Sequence, residues 1–109
     1  MKYLSAVVIM ELLAGAFRPG DQKLIRQMTV MFAKARRILV PSSRNYEDAG
    51  NVLRELQASQ AYVISPSHSL VNDVLIALSA RQIGATVITQ NKRDYLAIQA
   101  IRNFKFAVV

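Results

Sequence analysis

The chain has 109 residues and carries 14 Lys and Arg against 7 Asp and Glu, a formal charge of +7. That length fits a single domain over residues 1–109, and a hydrophobic share of 52% excludes a disordered tail. With no Cys and one His, His68, the composition excludes disulfide frameworks, thiolate zinc sites, Cys nucleophiles and multi-His metal centres.

Met1-Lys2 and the apolar run to Phe17 imitate a short secretory signal. Glu11 interrupts that run, which is also shorter than the roughly 20 apolar residues a bilayer span requires. The segment reads as a buried amphipathic part of a cytoplasmic domain with no membrane association. Tyr3–Ser5 is expected as a short strand, followed by a helix over Val7–Ala14. Arg18-Pro19-Gly20-Asp21 reads as a turn, because Pro fixes φ and Gly permits reversal.

A helix is expected over Gln22–Ala35, with Leu24, Ile25, Met28, Met31 and Phe32 at helical spacing; its Met28, Met31 and Phe32 stripe reads as core rather than as a dimerisation surface. Arg37–Val40 reads as a strand stopped by Pro41. The next helix is expected from about Asn45 as its N-cap, with Glu47 and Asp48 in its first turn. Its apolar face carries Ala49, Val52, Leu53 and Leu56. Ala61–Ile64 reads as a strand, Leu70–Ile83 as a helix stopped by Gly84, and Thr86–Thr89 as a β-branched strand. Lys92–Ala100 and Phe104–Val109 complete the pattern as helix and strand. The alternation predicts an α/β sandwich around a mainly parallel sheet.

The basic balance, with a pI near 10.3, points to a polyanionic partner, nucleic acid above all; the plainer alternative is solubility. Few acids accompany it. Asp21, Glu47, Asp48 and Glu55 read as solvated or helix-start charges. Tyr46 and Tyr62 read as core or half-buried packing, and His68 as a loop residue.

Glu11 and Asp73 sit in apolar helical surroundings, where a carboxylate requires a cation, a hydrogen-bond network or a water-filled cleft. Small Ala77 and Ala80 beside Asp73 favour a cleft. Asp94 has a local role open to it, as the N3 member of a capping box whose N-cap is Asn91. Thr89-Gln90-Asn91 also follows a strand directly, where open parallel sheets bind ligands. Together Glu11, Asp73 and Asp94 suggest a Mg²⁺ or Mn²⁺ cluster at one end of the sheet, since hard cations take carboxylate oxygens without His or Cys. Lys92 and Arg93 stand beside it as phosphate contacts or as ordinary surface charges.

Leu4-Ser5-Ala6-Val7-Val8-Ile9-Met10-Glu11-Leu12 with Gly15, Val71-Asn72-Asp73-Val74-Leu75-Ile76-Ala77 with Ala80 and Gly84, and Val87-Ile88-Thr89-Gln90-Asn91-Lys92-Arg93-Asp94-Tyr95 resemble three ordered blocks of PIN-domain ribonucleases. The last block fits T-x-N-x-x-D-F/Y. The chain resembles, within that family, the VapC toxins of toxin–antitoxin pairs. That resemblance implies a PIN-like three-layer α/β/α sandwich and a Mg²⁺-dependent endoribonuclease of a type II system. It further implies a homodimer, a cognate antitoxin and an RNA substrate. By position, Glu11, Asp73 and Asp94 would be its catalytic and metal-binding acids, with Thr89 and Asn91 lining the site. No acid precedes Glu11. Relative to the family, the chain is therefore expected to lack the opening strand and its first aspartate, as an N-terminally truncated domain. The alternative reading is an inactive PIN-like module that binds RNA or protein.

Overall fold

The computed structural model describes residues 1–60, 62–64 and 69–109. Readings that fall on Ala61 and on Ser65-Pro66-Ser67-His68 lie outside the described residues. Contacts divide the chain into two compact units, Met1–Val40 and Pro41–Val109.

In the first unit, β1 (Leu4–Ser5) runs into α1 (Ala6–Ala14), then α2 (Pro19–Lys34) and β2 (Ile38–Leu39). Ser5 Oγ accepts the Val7 N–H at 3.2 Å and so caps α1. β1 and β2 pair in parallel, with Leu4 opposite Ile38 and Ser5 opposite Leu39. The turn expected at Arg18–Asp21 is instead the first turn of α2. Pro19 occupies N1, where its fixed φ suits a helix and its missing N–H would be unsatisfied anyway.

The core stripe expected on α2 is a second correction. No residue of α2 is buried; Leu24 and Met31 are 65% and 61% exposed, and Ile25, Met28 and Phe32 half-buried. Helical spacing gathers apolar residues on one face but does not provide the cover. The elements packed on α2, which is 16 residues long, are the 9-residue α1 and the two-residue β2.

The second unit comprises α3 (Ser43–Ser59), α4 (Leu70–Gln82), β3 (Thr86–Thr89), α5 (Lys92–Ile101) and β4 (Lys105–Val108). Asn45 does not cap α3. Ser42 does, accepting the Asn45 N–H at 3.1 Å while Asn45 Oδ1 accepts the Ser42 N–H at 2.9 Å. This reciprocal box moves the start ahead of Asn45 and leaves Glu47 and Asp48 beyond the first turn. Asp48 is not a solvated charge: Arg102 Nε and Nη2 donate to its two oxygens at 3.0 and 2.9 Å. Tyr46, expected to pack, is 57% exposed.

Tyr62–Ile64 form no strand, and Val63 is 76% exposed. β-branched composition favours a ladder but requires a paired neighbour, and the described strands give it none. β3 matches its expected bounds and pairs in parallel with β4, from Thr86 opposite Lys105 to Thr89 opposite Val108. The α/β class with parallel pairing is as expected. Among the described residues, however, the pairing forms two two-stranded sheets rather than one.

Packing of α3, α4 and α5 builds the core of this unit around fully buried Val52, Leu56, Leu70, Val74 and Ile98. Tyr95, Phe104 and Phe106 add an aromatic cluster with ring centroids 5.7 to 5.9 Å apart. Among the described residues no helix is long and apolar enough to cross a membrane.

Candidate active site

Asp73 lies in the first turn of α4 and Asp94 in the first turn of α5. Both helix starts present the positive end of the helix dipole, which favours a carboxylate. Both acids are nonetheless buried, at 7% and 8% exposure, so each must be held by donors.

One amide holds them together. Asn91 Nδ2 donates to Asp73 Oδ2 at 3.2 Å and to Asp94 Oδ2 at 2.9 Å. The two oxygens therefore lie no farther apart than those two bonds laid end to end. The amide cannot be turned the other way, because Asn91 Oδ1 accepts the Asp94 N–H at 3.3 Å as the cap of α5. The reciprocal half of the expected capping box is not made. The Asn91 N–H instead donates to Thr89 Oγ1 at 3.0 Å, and the Asp94 carboxylate takes the Asn91 side-chain amide.

Tyrosines hold the other oxygens. Tyr62 Oη donates to Asp94 Oδ1 at 2.7 Å, and Tyr95 Oη lies 3.5 Å from Asp73 Oδ1. Ser69 Oγ stands 3.5 Å from Asp73 Oδ2. Desolvation raises the Tyr62 phenol above its ordinary pKa of 10.0, and its hydrogen bond to Asp94 adds to the shift; the hydroxyl thus remains a donor at neutral pH. The Arg93 guanidinium lies over the Tyr62 ring, 5.8 Å from its centroid. Lys92 and Arg93 are exposed on the first turn of α5.

The sequence anticipates Asp73, Asp94, Thr89 and Asn91, and the fold brings these four together at the carboxyl end of β3. Ala77 and Ala80, expected to open a cleft beside Asp73, are buried and belong to the packed interior. Glu11 lies half-buried on α1, in the first unit. Among the described residues no group of three or more His, Cys, Asp or Glu gathers to hold a metal ion. Sequence reasoning missed the donors Tyr62, Tyr95 and Ser69. Tyr95 follows Asp94 directly and could have been weighed with it; Tyr62 has no spacing that marks it. A groove of about 610 Å³ bordered by Arg44, Glu47, Asp48 and Arg81 includes none of these acids and mixes both signs of charge.

The family model of the PIN domain matches residues 1–100. The chain belongs to the PIN-domain family, a family of nucleases. No curated protein sequence matches it significantly. Three solved structures share its fold. DNA-bound VapBC from Salmonella typhimurium superposes with a TM-score of 0.65 at 20% identity, covering 95% of this chain and 72% of that one. VapBC2 from Rickettsia felis, bound to a promoter DNA fragment, gives 0.65 at 23% identity, covering 98% and 74%. FitAB bound to the IR36 DNA fragment gives 0.66 at 22% identity, covering 97% and 71%.

Proposed function

We propose that this chain is a Mg²⁺-dependent endoribonuclease, able to use Mn²⁺, and the toxin of a type II toxin–antitoxin pair acting in the cytoplasm. The observation that carries this reading is the Asp73–Asn91–Asp94 arrangement at the end of β3, in a chain of the PIN-domain family. An antitoxin partner is supported by the fold shared with VapBC and FitAB; a second copy of the chain is proposed with it.

The donor set fits a hard divalent cation. Mg²⁺ takes one or two carboxylates, keeps several waters and needs neither His nor Cys. Asp73 and Asp94 would hold it. When bound, such an ion supplies an activated water and neutralises charge on the phosphate and the leaving oxygen.

The protein's own groups do the rest. Asn91, by donating to one oxygen of each acid, keeps the two carboxylates side by side. Thr89, by taking the Asn91 N–H, spares the Asp94 carboxylate from capping the backbone. Lys92 and Arg93, exposed at the start of α5, meet the RNA backbone, where helix-start amides add to the positive potential. The charge of +7 draws the polyanion in.

The test is cleavage of RNA by the purified chain with Mg²⁺ or Mn²⁺. Turnover lost with a chelator and with Asp73→Asn supports the reading. Tight RNA binding without turnover supports the second reading, an inactive PIN-like module, which the grouping of two rather than three acids among the described residues favours.

A further inference from the structure

We propose that Tyr62 is a positioning residue for Asp94, which fixes the rotation of its carboxylate for cation binding; this rests on the reading of Asp94 as a metal ligand. Tyr62 lies outside the three sequence blocks, 32 residues from Asp94, yet its 2.7 Å bond to Oδ1 is shorter than the Asn91 bond to Oδ2. The terminal torsion of an Asp side chain is broad, so a carboxylate held at one oxygen still turns. Held at Oδ1 by a phenol and at Oδ2 by an amide, it does not. The plane of the Asp94 carboxylate is therefore fixed relative to Asp73, whose Oδ2 accepts from the same amide.

Tyr62 is itself held through its backbone, its ring and its hydroxyl. Its backbone N–H donates to Leu56 O at 3.3 Å, which ties it to α3. Its ring lies under the Arg93 guanidinium, and its hydroxyl ends on Asp94. Ring stacking and the backbone bond do not depend on the hydroxyl, so Tyr62→Phe removes the hydroxyl's bonds, to Asp94 and to the Arg93 side chain, and keeps those two contacts. Loss of a partner that orients a ligating side chain weakens metal affinity by about 10–100-fold.

The experiment measures Mn²⁺ binding by calorimetry and electron paramagnetic resonance on the full chain without RNA, alongside thermal melting in a chelator. Wild type, Tyr62→Phe, Asp73→Asn and the control Tyr46→Phe are compared. Mn²⁺ affinity falling about tenfold in Y62F, with metal-free melting unchanged and Y46F like wild type, supports the positioning role. Wild-type affinity in Y62F overturns it. Loss of cooperative melting in Y62F also overturns it, because the hydroxyl would then serve the fold. If wild type binds no Mn²⁺, or D73N binds as tightly as wild type, the metal-site reading fails instead.

Discussion

Asp73 and Asp94, 21 residues apart in sequence, are joined by one Asn91 amide that donates to both. Each acid begins a different helix, so the amide also ties the start of α4 to the start of α5. The same side chain caps α5 through its carbonyl oxygen. Capping and site assembly are therefore one structural event, and α5 cannot fray at its first turn without releasing the acids.

Asn91→Ala removes the cap and leaves two buried carboxylates facing each other. Loss of an N-cap alone costs about 1 kcal/mol, and loss of the amide donor to both acids adds to it. Denaturant unfolding without metal should place N91A about 1–2 kcal/mol below wild type. Equal stability would show that the shared amide does not hold the site.

Asp73→Asn separates the needs of the fold from those of the site. A neutral amide beside Asp94 removes like-charge repulsion, so metal-free stability should hold or rise. A ligand that binds only the folded state stabilises it by mass action, about 2.7 kcal/mol at a hundredfold excess over Kd. Mn²⁺ should therefore raise the melting temperature of wild type and leave D73N unmoved.

Local chemistry was the legible part of this chain. β3 and its short connection to Asn91 follow from a β-branched run meeting a capping residue, and both appear as expected. Asp73 stood out because a lone charge in an apolar helix requires a partner. What sequence could not reveal depends on groups distant in the chain. The Tyr62–Asp94 bond spans 32 residues and the Asp48–Arg102 pair spans 54, with no periodicity to announce either. Ser42 displaced Asn45 as cap because both can accept a backbone N–H, and only three-dimensional geometry chooses between them. The exposed stripe of α2 shows the remaining gap: periodicity orients a face but does not say what covers it.

The Asp48–Arg102 pair predicts a pH dependence. Arg102 hydrogen bonds hold the Asp48 carboxyl below its ordinary 3.8, against an opposing desolvation. A folded-state pKa below the unfolded one gives stability that is present above about pH 3.8 and is lost as pH falls through the lower folded value. Two donors on one half-exposed carboxylate stabilise by about 1 kcal/mol. Asp48→Asn should lose that amount at neutral pH in denaturant unfolding. The gap from wild type should narrow at about pH 3 and below.

The ends of α2 and α4 give the last prediction. Both helices close with the same turn: the Arg37 N–H donates to Phe32 O at 2.9 Å, and the Ala85 N–H to Ala80 O at 3.0 Å. Each turn needs a left-handed residue, and the sequence fills the two differently, with Arg36 at φ 57° and Gly84 at φ 68°. A residue with a Cβ pays about 1–2 kcal/mol for that conformation, whereas Gly adopts it freely. Part of the difference is offset, because Gly also gives the unfolded chain more freedom, by about 0.4–1 kcal/mol. Arg36→Gly should therefore stabilise by up to about 1 kcal/mol. Gly84→Ala should destabilise by a similar amount, purely through φ, since a Cβ there meets no atom within 4 Å. Denaturant midpoints moving in opposite directions for the two variants are the expected result. Movement in the same direction would show that the backbone at one of these ends departs from the left-handed turn.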